Sequence, residues 1–321
     1  MSDMSNTSKS KPVYILGGGA IGLTLAAYLA SAGRNVLVVR TSRDDVSPTR
    51  ITVTIVRDGV PLRGPLETVS LSRLETLDGV IAVTAKSYAN PAIAAALAAR
   101  KASGPVVLLQ NGLGVERPFL DAPLPRIYRC VLYTTSQTIA ENEVTFRPIS
   151  SSPIGVVKGD EAELERCVAA LATPGFPFHA EKNIERDVWK KAIANAVFNS
   201  ICPLLDIDNG VFHRDPEAAG LAREVVRECL LLTEAKGLAL GLSEAELMEQ
   251  ILRISKGSEG QLISTLQDIR HGRRTEIDSL NLEMARMAAA LVPPVSVSKT
   301  EFLGKMLLAK SRNSGRPFGA G

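Results

Sequence analysis

The run Gly17-Gly18-Gly19-Ala20-Ile21-Gly22 constrains this chain more than any other stretch. It fits G-x-G-x-x-G, and its flanks decide what that spacing means. Pro12–Leu16 ahead of it reads as a short buried strand. Ala20–Ala32 behind it reads as a helix, with Gly33 as the C-terminal stop, and Val36–Arg40 as a second strand. In that setting the first glycine makes the turn, the second lets backbone approach a pyrophosphate, and the third lets the helix pack closely on its strand. The phosphates sit at the helix N-terminus, where N–H groups and the helix dipole favour negative charge. The sequence therefore predicts a dinucleotide site at Gly17, Gly18, Gly19, Ala20, Ile21 and Gly22. A purely structural glycine turn is the plainer alternative.

A second alternative is a secretory signal. Pro12 to Gly33 carries no charged residue, Lys9 and Lys11 precede it, and Ala30-Ser31-Ala32 mimics a signal-peptidase site. Three consecutive glycines weigh against it, because each costs ~1 kcal/mol in a helix. No other uncharged stretch approaches the ~18 residues that a membrane span needs.

The end of the second strand refines the ligand. Sites that prefer NAD place Asp or Glu ~20 residues on, against the ribose hydroxyls. Arg40 stands there instead, followed by Ser42 and Arg43, and no acid precedes Asp44. A guanidinium suits a 2′-phosphate bidentately, so the expected cofactor is NADPH rather than NADH. The alternative is that Arg40 is simply an exposed strand-end residue.

A chain of 321 residues favours two domains of ~100–200 residues each. With 45% hydrophobic and 22% charged residues it has the makings of a sizeable core, which excludes disordered and disulfide-stapled classes. Strand-like runs recur at Ile51–Val56, Val80–Thr84, Val106–Gln110, Val144–Phe146 and Ile154–Val157, with helices at Pro91–Lys101 and Glu161–Leu171. From about Asn183 only helical periodicity continues, over 184–202, 216–236, 243–255, 260–270, 275–291 and 297–310. The expected architecture is α/β: a Rossmann-like, doubly wound parallel sheet followed by an all-helical C-terminal domain. Its expected divisions are a disordered tail over 1–11, an NADP-binding Rossmann domain over 12–183, a helical domain for substrate and dimerisation over 184–310, and a flexible tail over 311–321.

A net charge of +3 is too mild for a nucleic-acid protein. The densest basic run, Arg270-His271-Gly272-Arg273-Arg274, reads as a solvated loop, with a phosphate patch as the alternative. Cys130, Cys167, Cys202 and Cys229 and the three histidines His179, His213 and His271 are scattered without ligand spacing. The expectation is no metal, no membrane, no disulfide framework and a reducing, cytoplasmic compartment.

The most informative helix runs from Trp189 to Cys202. Lys191, Asn195 and Asn199 recur at i, i+4 and i+8 on an otherwise largely apolar segment. They form one face spanning ~12 Å. Three polar side chains on a helix buried nearly all round line a cleft or join a network, because leaving them unpaired is costly; a narrow solvent-facing stripe is the other reading. A lysine in such a stripe can serve as a proton donor. Asn111-Gly112 follows the strand Val106–Gln110, where open α/β sheets bind ligands, or it is an ordinary Asn-Gly turn. Lys86 is similarly placed after Val80–Thr84, with a surface lysine as the usual outcome. Glu276 lies in Thr275-Glu276-Ile277-Asp278, where Thr275 and Asp278 could close a capping box and an acid suits a first helical turn.

Taken together, these pieces resemble the ketopantoate reductases (2-dehydropantoate 2-reductases) over most of the chain. The shared pieces are the opening GGGAIG, TAKSY with Lys86, QNGLG with Asn111, WKKAIANAVFN, and SxxxDIxxGRxTEIDxLN from Ser264 to Asn281. The resemblance implies a Rossmann domain plus a helical domain, and a catalyst that reduces 2-dehydropantoate to pantoate with NADPH in pantothenate biosynthesis. It implies that Lys191 is the general acid and that Asn195, Asn199, Asn209 and Ser264 hold the substrate. Asn111 and Lys86 would contact the cofactor near its nicotinamide, with Asn111 also toward substrate. Glu276 would contact cofactor ribose or the reacting hydroxyl. A homodimer is a possible assembly. The alternatives are a reductase of another branched 2-oxo acid or imine with the same mechanism, and a non-catalytic NADP-binding sensor. Departures from the family pattern are Leu282 where Gly is usual, Ala290-Leu-Val-Pro-Pro-Val-Ser where Gly and then Pro-x-Asn are common, few glycines in Glu143–Gly155, and an arginine after the second strand displaced by about one residue. They bear on substrate identity more than on chemistry.

Overall fold

Residues 11–41 and 47–314 are described by the computed structural model. Residues 1–10 of the expected N-terminal tail, Ser42, Arg43, Asp44 and 315–321 lie outside them. By its contacts the chain divides into two compact units. One comprises the chain to Gln110 together with Val115–Ile184, and the other Asn111–Gly114 together with the chain from Glu185 on.

In the first unit the strands are β1 (Val13–Leu16), β2 (Val36–Arg40), β3 (Thr49–Arg57), β4 (Val60–Ser70), β5 (Ile81–Val83), β6 (Val106–Leu108), β7 (Ile127–Cys130), β8 (Thr134–Ala140), β9 (Glu143–Pro148), β10 (Ser152–Lys158) and β11 (Phe178–Ala180). The helices are α1 (Ala20–Ser31), α2 (Asn90–Ala99), α3 (Arg117–Leu120) and α4 (Glu161–Leu171). One sheet runs β11-β10-β7-β6-β5-β1-β2-β4-β3-β9-β8. Its centre, β7 to β4, is entirely parallel. The wings differ from a purely parallel sheet: β3 runs antiparallel to β4, β8 to β9, and β10 to β7.

Alternation along the central strands explains why both sheet faces are covered. Val13 and Ile15 of β1, Ala82 of β5 and Val107 of β6 enter one core with Leu25 and Leu29 of α1 and Leu164 of α4. Their neighbours Tyr14, Leu16, Ile81, Val83, Val106 and Leu108 enter the opposite core with Ile93 and Leu97 of α2 and Phe119 of α3. Each fully buried Val, Leu, Ile or Phe among them contributes ~1.5–3 kcal/mol. Continuous apolar runs such as VYIL are the mark of strands buried on both faces.

The sequence reading missed β4, β7, β8 and β11. In β4 the residues Pro61, Gly64 and Pro65 imitate a loop. They are tolerated because β2 pairs only with Thr68–Ser70, so that the proline stretch is bonded to β3 alone and lacks no ladder donor on its other side.

The second unit is helical: α5 (Ile184–Leu205), α6 (Val211–Arg214), α7 (Pro216–Ala235), α8 (Glu244–Gly257), α9 (Ser264–Arg270), α10 (Asn281–Ala289) and α11 (Ser298–Asn313). Trp189, Ile193, Ala196, Val197 and Ile201 of α5 pack against Val225 and Cys229 of α7, Met248 and Ile251 of α8, and Met284 of α10. Asp215 caps α7, and Ser243 with Glu246 closes a capping box on α8, each cap worth ~1 kcal/mol. The buried Glu228 carboxylate accepts from Lys299 N (2.9 Å) and Thr300 N (2.7 Å) and so caps α11 from α7. Helix α11 continues to Asn313, three residues into the stretch expected to be flexible, where Asn313 Nδ2 donates to Ala309 O (2.8 Å).

Candidate functional site

The turn from β1 to α1 gives each glycine a distinct task. Gly17 has φ +124°, and a Cβ there would stand 2.4 Å from Ala85 N. Its N–H donates to Val39 O at 3.0 Å, tying the turn to β2. At Gly22 a Cβ would stand 1.9 Å from Gly17 O and 2.6 Å from Thr84 Oγ1. Thr84 Oγ1 in turn donates to Gly17 O at 2.9 Å. Gly18 and Gly19 are exposed, and nothing lies within 4 Å of a Cβ at Gly19. Gly19 immediately precedes α1, whose first turn (beginning at Ala20 and Ile21) contains no acid and has no side-chain cap. The result is an open backbone cradle at the positive end of a helix, with the shape and field that a phosphate group requires.

Arg40 ends β2, half-buried and in register with Ser70. It follows Val39, the acceptor for Gly17 N, so it stands beside the glycine turn. On the other side of β1, the loop after β5 meets the same turn: Ala85 N donates to Leu16 O at 2.9 Å. Lys86, half-buried, then leads into a 3₁₀ turn over Ser87–Ala89.

Asn111 is exposed, in a short excursion that needs two glycines in the left-handed region, Gly112 (φ +98°) and Gly114 (φ +67°). Leu113 N donates to Ser279 O at 2.7 Å, and a Cβ on Gly112 would stand 2.5 Å from that same oxygen. Ser279 belongs to the turn headed by Glu276, whose carbonyl accepts from Ser279 N (3.0 Å) and Ser279 Oγ (2.9 Å). The structure thus locks the Asn111 excursion onto the Glu276 turn. The expected capping box is absent: Glu276 precedes a 3₁₀ turn over Ile277–Ser279 without a side-chain cap, Thr275 is buried, and Asp278 pairs with Arg274 at 3.6 Å.

On α5, Lys191 and Asn195 are half-buried and Asn199 is buried. Asn199 Oδ1 accepts from Thr265 Oγ1 at 2.8 Å and from Ser264 Oγ at 3.3 Å, which brings Asn199 and the exposed Ser264 together. Asn281, fully buried, donates from Nδ2 to Ala196 O at 3.2 Å and pins this turn of α5. Asn209 stands on a separate loop. Its N–H donates to Gln261 O (2.9 Å), its carbonyl accepts from Ser255 Oγ (2.7 Å), and its buried Oδ1 has no hydrogen-bond partner within the protein.

The remaining sequence candidates resolve simply. Arg270, Arg273 and Arg274 pair with Asp206 (3.1 Å), Asp268 (2.9 Å) and Asp278 (3.6 Å), so the basic run presents no unbalanced positive field. Burial pushes the thiols of Cys167, Cys202 and Cys229 up to about 12, which removes them as nucleophiles near neutral pH. Among the described residues no group of three His, Cys, Asp or Glu side chains could hold a metal ion, and no helix is long and apolar enough to cross a membrane.

Two family profiles match this chain: "Ketopantoate reductase PanE/ApbA" over residues 13–159, and its C-terminal counterpart over residues 183–309. The chain belongs to the ketopantoate reductase family. This is a family of oxidoreductases. The chain is 28% identical to the 2-dehydropantoate 2-reductase of Pyrococcus abyssi over 287 residues, spanning 87% of this chain and 91% of the relative. It is 27% identical to that of Halobacterium salinarum over 300 residues, spanning 88% and 95%. Among solved structures, the dimeric ketopantoate reductase from Staphylococcus aureus superposes with a TM-score of 0.79 at 21% identity, covering 95% of this chain and 100% of that one. A D-mandelate dehydrogenase solved with NADH and anilino(oxo)acetate superposes with a TM-score of 0.80 at 20% identity, covering 94% and 99%. At these identities the structural likeness establishes the fold.

One departure from the ketopantoate reductase pattern has a packing explanation. Leu282 is buried in a small cluster with Ile269, Ile277, Leu280 and Leu307. Its Cδ2 lies 3.0 Å from where a Cβ on Gly304 of α11 would stand, so a large residue at 282 is matched by none at 304. The sequence reading missed Thr84, Asn90, Gln110 and Thr265. Each lies in or beside a recognised motif, but its role depends on partners 20 to 67 residues away.

Proposed function

We propose that this chain reduces 2-dehydropantoate to pantoate with NADPH, in pantothenate biosynthesis and in the cytoplasm. Residues 12–183 would form the NADP-binding domain and residues 184–310 the helical domain for substrate and dimerisation. The observation that carries this reading is the Lys191–Asn195–Asn199 face, with Asn199 already oriented by Thr265 and Ser264. It occurs in a chain that also holds an open glycine cradle at Gly19.

The residues present fit the cofactor. The turn Gly17–Gly22 would receive the pyrophosphate, and Arg40 would meet the 2′-phosphate with a charge-assisted, two-pronged contact. Lys86 and Asn111 would contact the nicotinamide end. NADPH, when bound, supplies the hydride delivered to the ketone carbon. The chain's own work is positioning and proton transfer. Asn195, Asn199, Asn209 and Ser264 offer hydrogen bonds to the carboxylate and hydroxyl of an oxo acid, Asn111 contributes from its excursion, and Glu276 accepts from a ribose or product hydroxyl. The Lys191 ammonium donates to the carbonyl oxygen, offsets the negative charge growing there, and releases its Nζ proton to it. A positioned acid of this kind contributes ~10²–10⁴ in rate.

Initial rates of NADPH oxidation with 2-dehydropantoate, other branched 2-oxo acids and an imine, each repeated with NADH, test this reading. It predicts the highest kcat/KM for 2-dehydropantoate with NADPH. A preference for another oxo acid or imine moves the substrate and keeps the mechanism. Tight NADPH binding with no turnover of any of them identifies a sensor, and a strong NADH preference removes the Arg40 assignment. Light scattering on the same sample tests the homodimer.

A further inference from the structure

Asn90, at the start of α2, and Gln110, two residues beyond β6, are buried carboxamides 20 residues apart. They face each other head to tail. Gln110 Nε2 donates to Asn90 Oδ1 at 2.5 Å, and Asn90 Nδ2 donates to Gln110 Oε1 at 3.3 Å. Each amide spends its second N–H on a backbone carbonyl: Gln110 Nε2 on Ala85 O at 2.8 Å, and Asn90 Nδ2 on Val115 O at 2.8 Å. Both donors of both side chains are therefore in use.

The two carbonyls are what give this knot its meaning. Ala85 is the residue before Lys86, and its N–H is bonded to Leu16 O at the start of the glycine turn. Val115 is the residue after Asn111–Gly114. Gln110 leads into that four-residue excursion and Val115 leads out of it, so Asn90 closes its base through the Gln110 side chain on one side and the Val115 carbonyl on the other. One buried pair thus ties the Lys86 segment and the glycine turn to Gln110 and Val115, the residues from which the excursion leaves and to which it returns.

We propose that Asn90 and Gln110 are positioning residues. They touch neither substrate nor cofactor, and they hold the Lys86 segment against the glycine turn, at the spacing from which Lys86 meets the nicotinamide end of the dinucleotide. This rests on the reading of the chain as a dinucleotide-dependent reductase. Carboxamides suit the task because they carry donor and acceptor together and do not titrate, so the spacing is independent of pH.

The test uses Asn90→Leu and Gln110→Met, which keep the branching or the reach of each side chain and remove its hydrogen bonds, singly and together. Hydrogen exchange on the ligand-free protein is read over residues 85–89 and 111–115, and NADPH affinity by fluorescence titration. Each single variant is expected to speed exchange in both segments, to raise the Kd for NADPH about tenfold, and to leave the midpoint of thermal unfolding within a few degrees. The double variant is expected to be no worse than the worse single, because either change opens the same knot. Exchange that rises only beside the substituted residue, or additive effects in the double variant, overturns the proposal. So does an unchanged Kd accompanied by a large drop in thermal stability. Failure of the wild-type protein to bind NADPH would overturn the functional reading instead, and the exchange pattern would still decide the knot.

Discussion

The Thr265 hydroxyl donates to Asn199 Oδ1 over 2.8 Å, and the Ser264 hydroxyl approaches the same oxygen at 3.3 Å. With its oxygen engaged, Asn199 presents its NH₂ as the free function, and a donor is what an anionic oxo acid needs. Thr265→Val keeps the shape and removes that orientation. It is expected to raise the oxo-acid KM about tenfold, the equivalent of one lost hydrogen bond, with NADPH affinity unchanged. Steady-state kinetics beside a binding titration checks this; equal losses in both would indicate general damage.

Gly22 and Gly19 differ in kind. A Cβ at Gly22 would overlap Gly17 O at 1.9 Å, whereas one at Gly19 meets nothing within 4 Å. Gly22→Ala is expected to lower thermal stability sharply. Gly19→Ala should leave the unfolding midpoint almost unchanged and weaken NADPH binding, because its methyl group occupies the space a phosphate would take. Calorimetry with and without NADPH separates the two, and a stable Gly22→Ala that binds normally contradicts the account.

Much of this arrangement was legible in the sequence because its signals are local. The strand, glycine loop and helix from Pro12 to Gly33 follow one another directly, and the Lys191–Asn195–Asn199 stripe is a periodicity within one helix. The wings of the sheet were not legible. Strand β8 (TTSQTIA) is mostly exposed and lacks the apolar run that marked β1, and β4 hides behind two prolines. Nor was the Asn111 excursion's attachment to Ser279, since nothing near residue 112 announces a partner 167 positions later. Helix 275–291 was overextended because a capping pattern cannot report that Thr275 is buried.

Arg40 provides a charge test. Arg40→Ala is expected to raise the KM for NADPH by about ten- to a hundredfold, the range for a lost hydrogen bond to a charged group, and to leave the KM for NADH nearly unchanged. Parallel losses with both cofactors would show that Arg40 supports the strand end and not the 2′-phosphate.

The helical unit carries its own pH dependence. The hydrogen bond from Arg214, with help from Gly260 N–H, holds the Asp208 carboxyl below its ordinary range. Lys299 does the same for Glu224, and Arg227 for Glu244. A depressed folded pKa contributes stability that is complete above the unfolded value and is lost as pH falls through the folded one. Thermal melts followed by circular dichroism are therefore expected to be flat near neutrality and to fall below roughly pH 4. Asp208→Asn should start lower and fall less, and an unchanged acid limb would remove Asp208 from this role. The effect is modest because each carboxylate is only partly buried and its basic partner is exposed to solvent.

The most direct measurement compares wild type and Lys191→Ala in NADPH oxidation with 2-dehydropantoate, with NADPH affinity determined on both. The account predicts a loss of ~10²–10⁴ in kcat, with the NADPH Kd and the unfolding midpoint retained. Near-normal kcat in Lys191→Ala would contradict it.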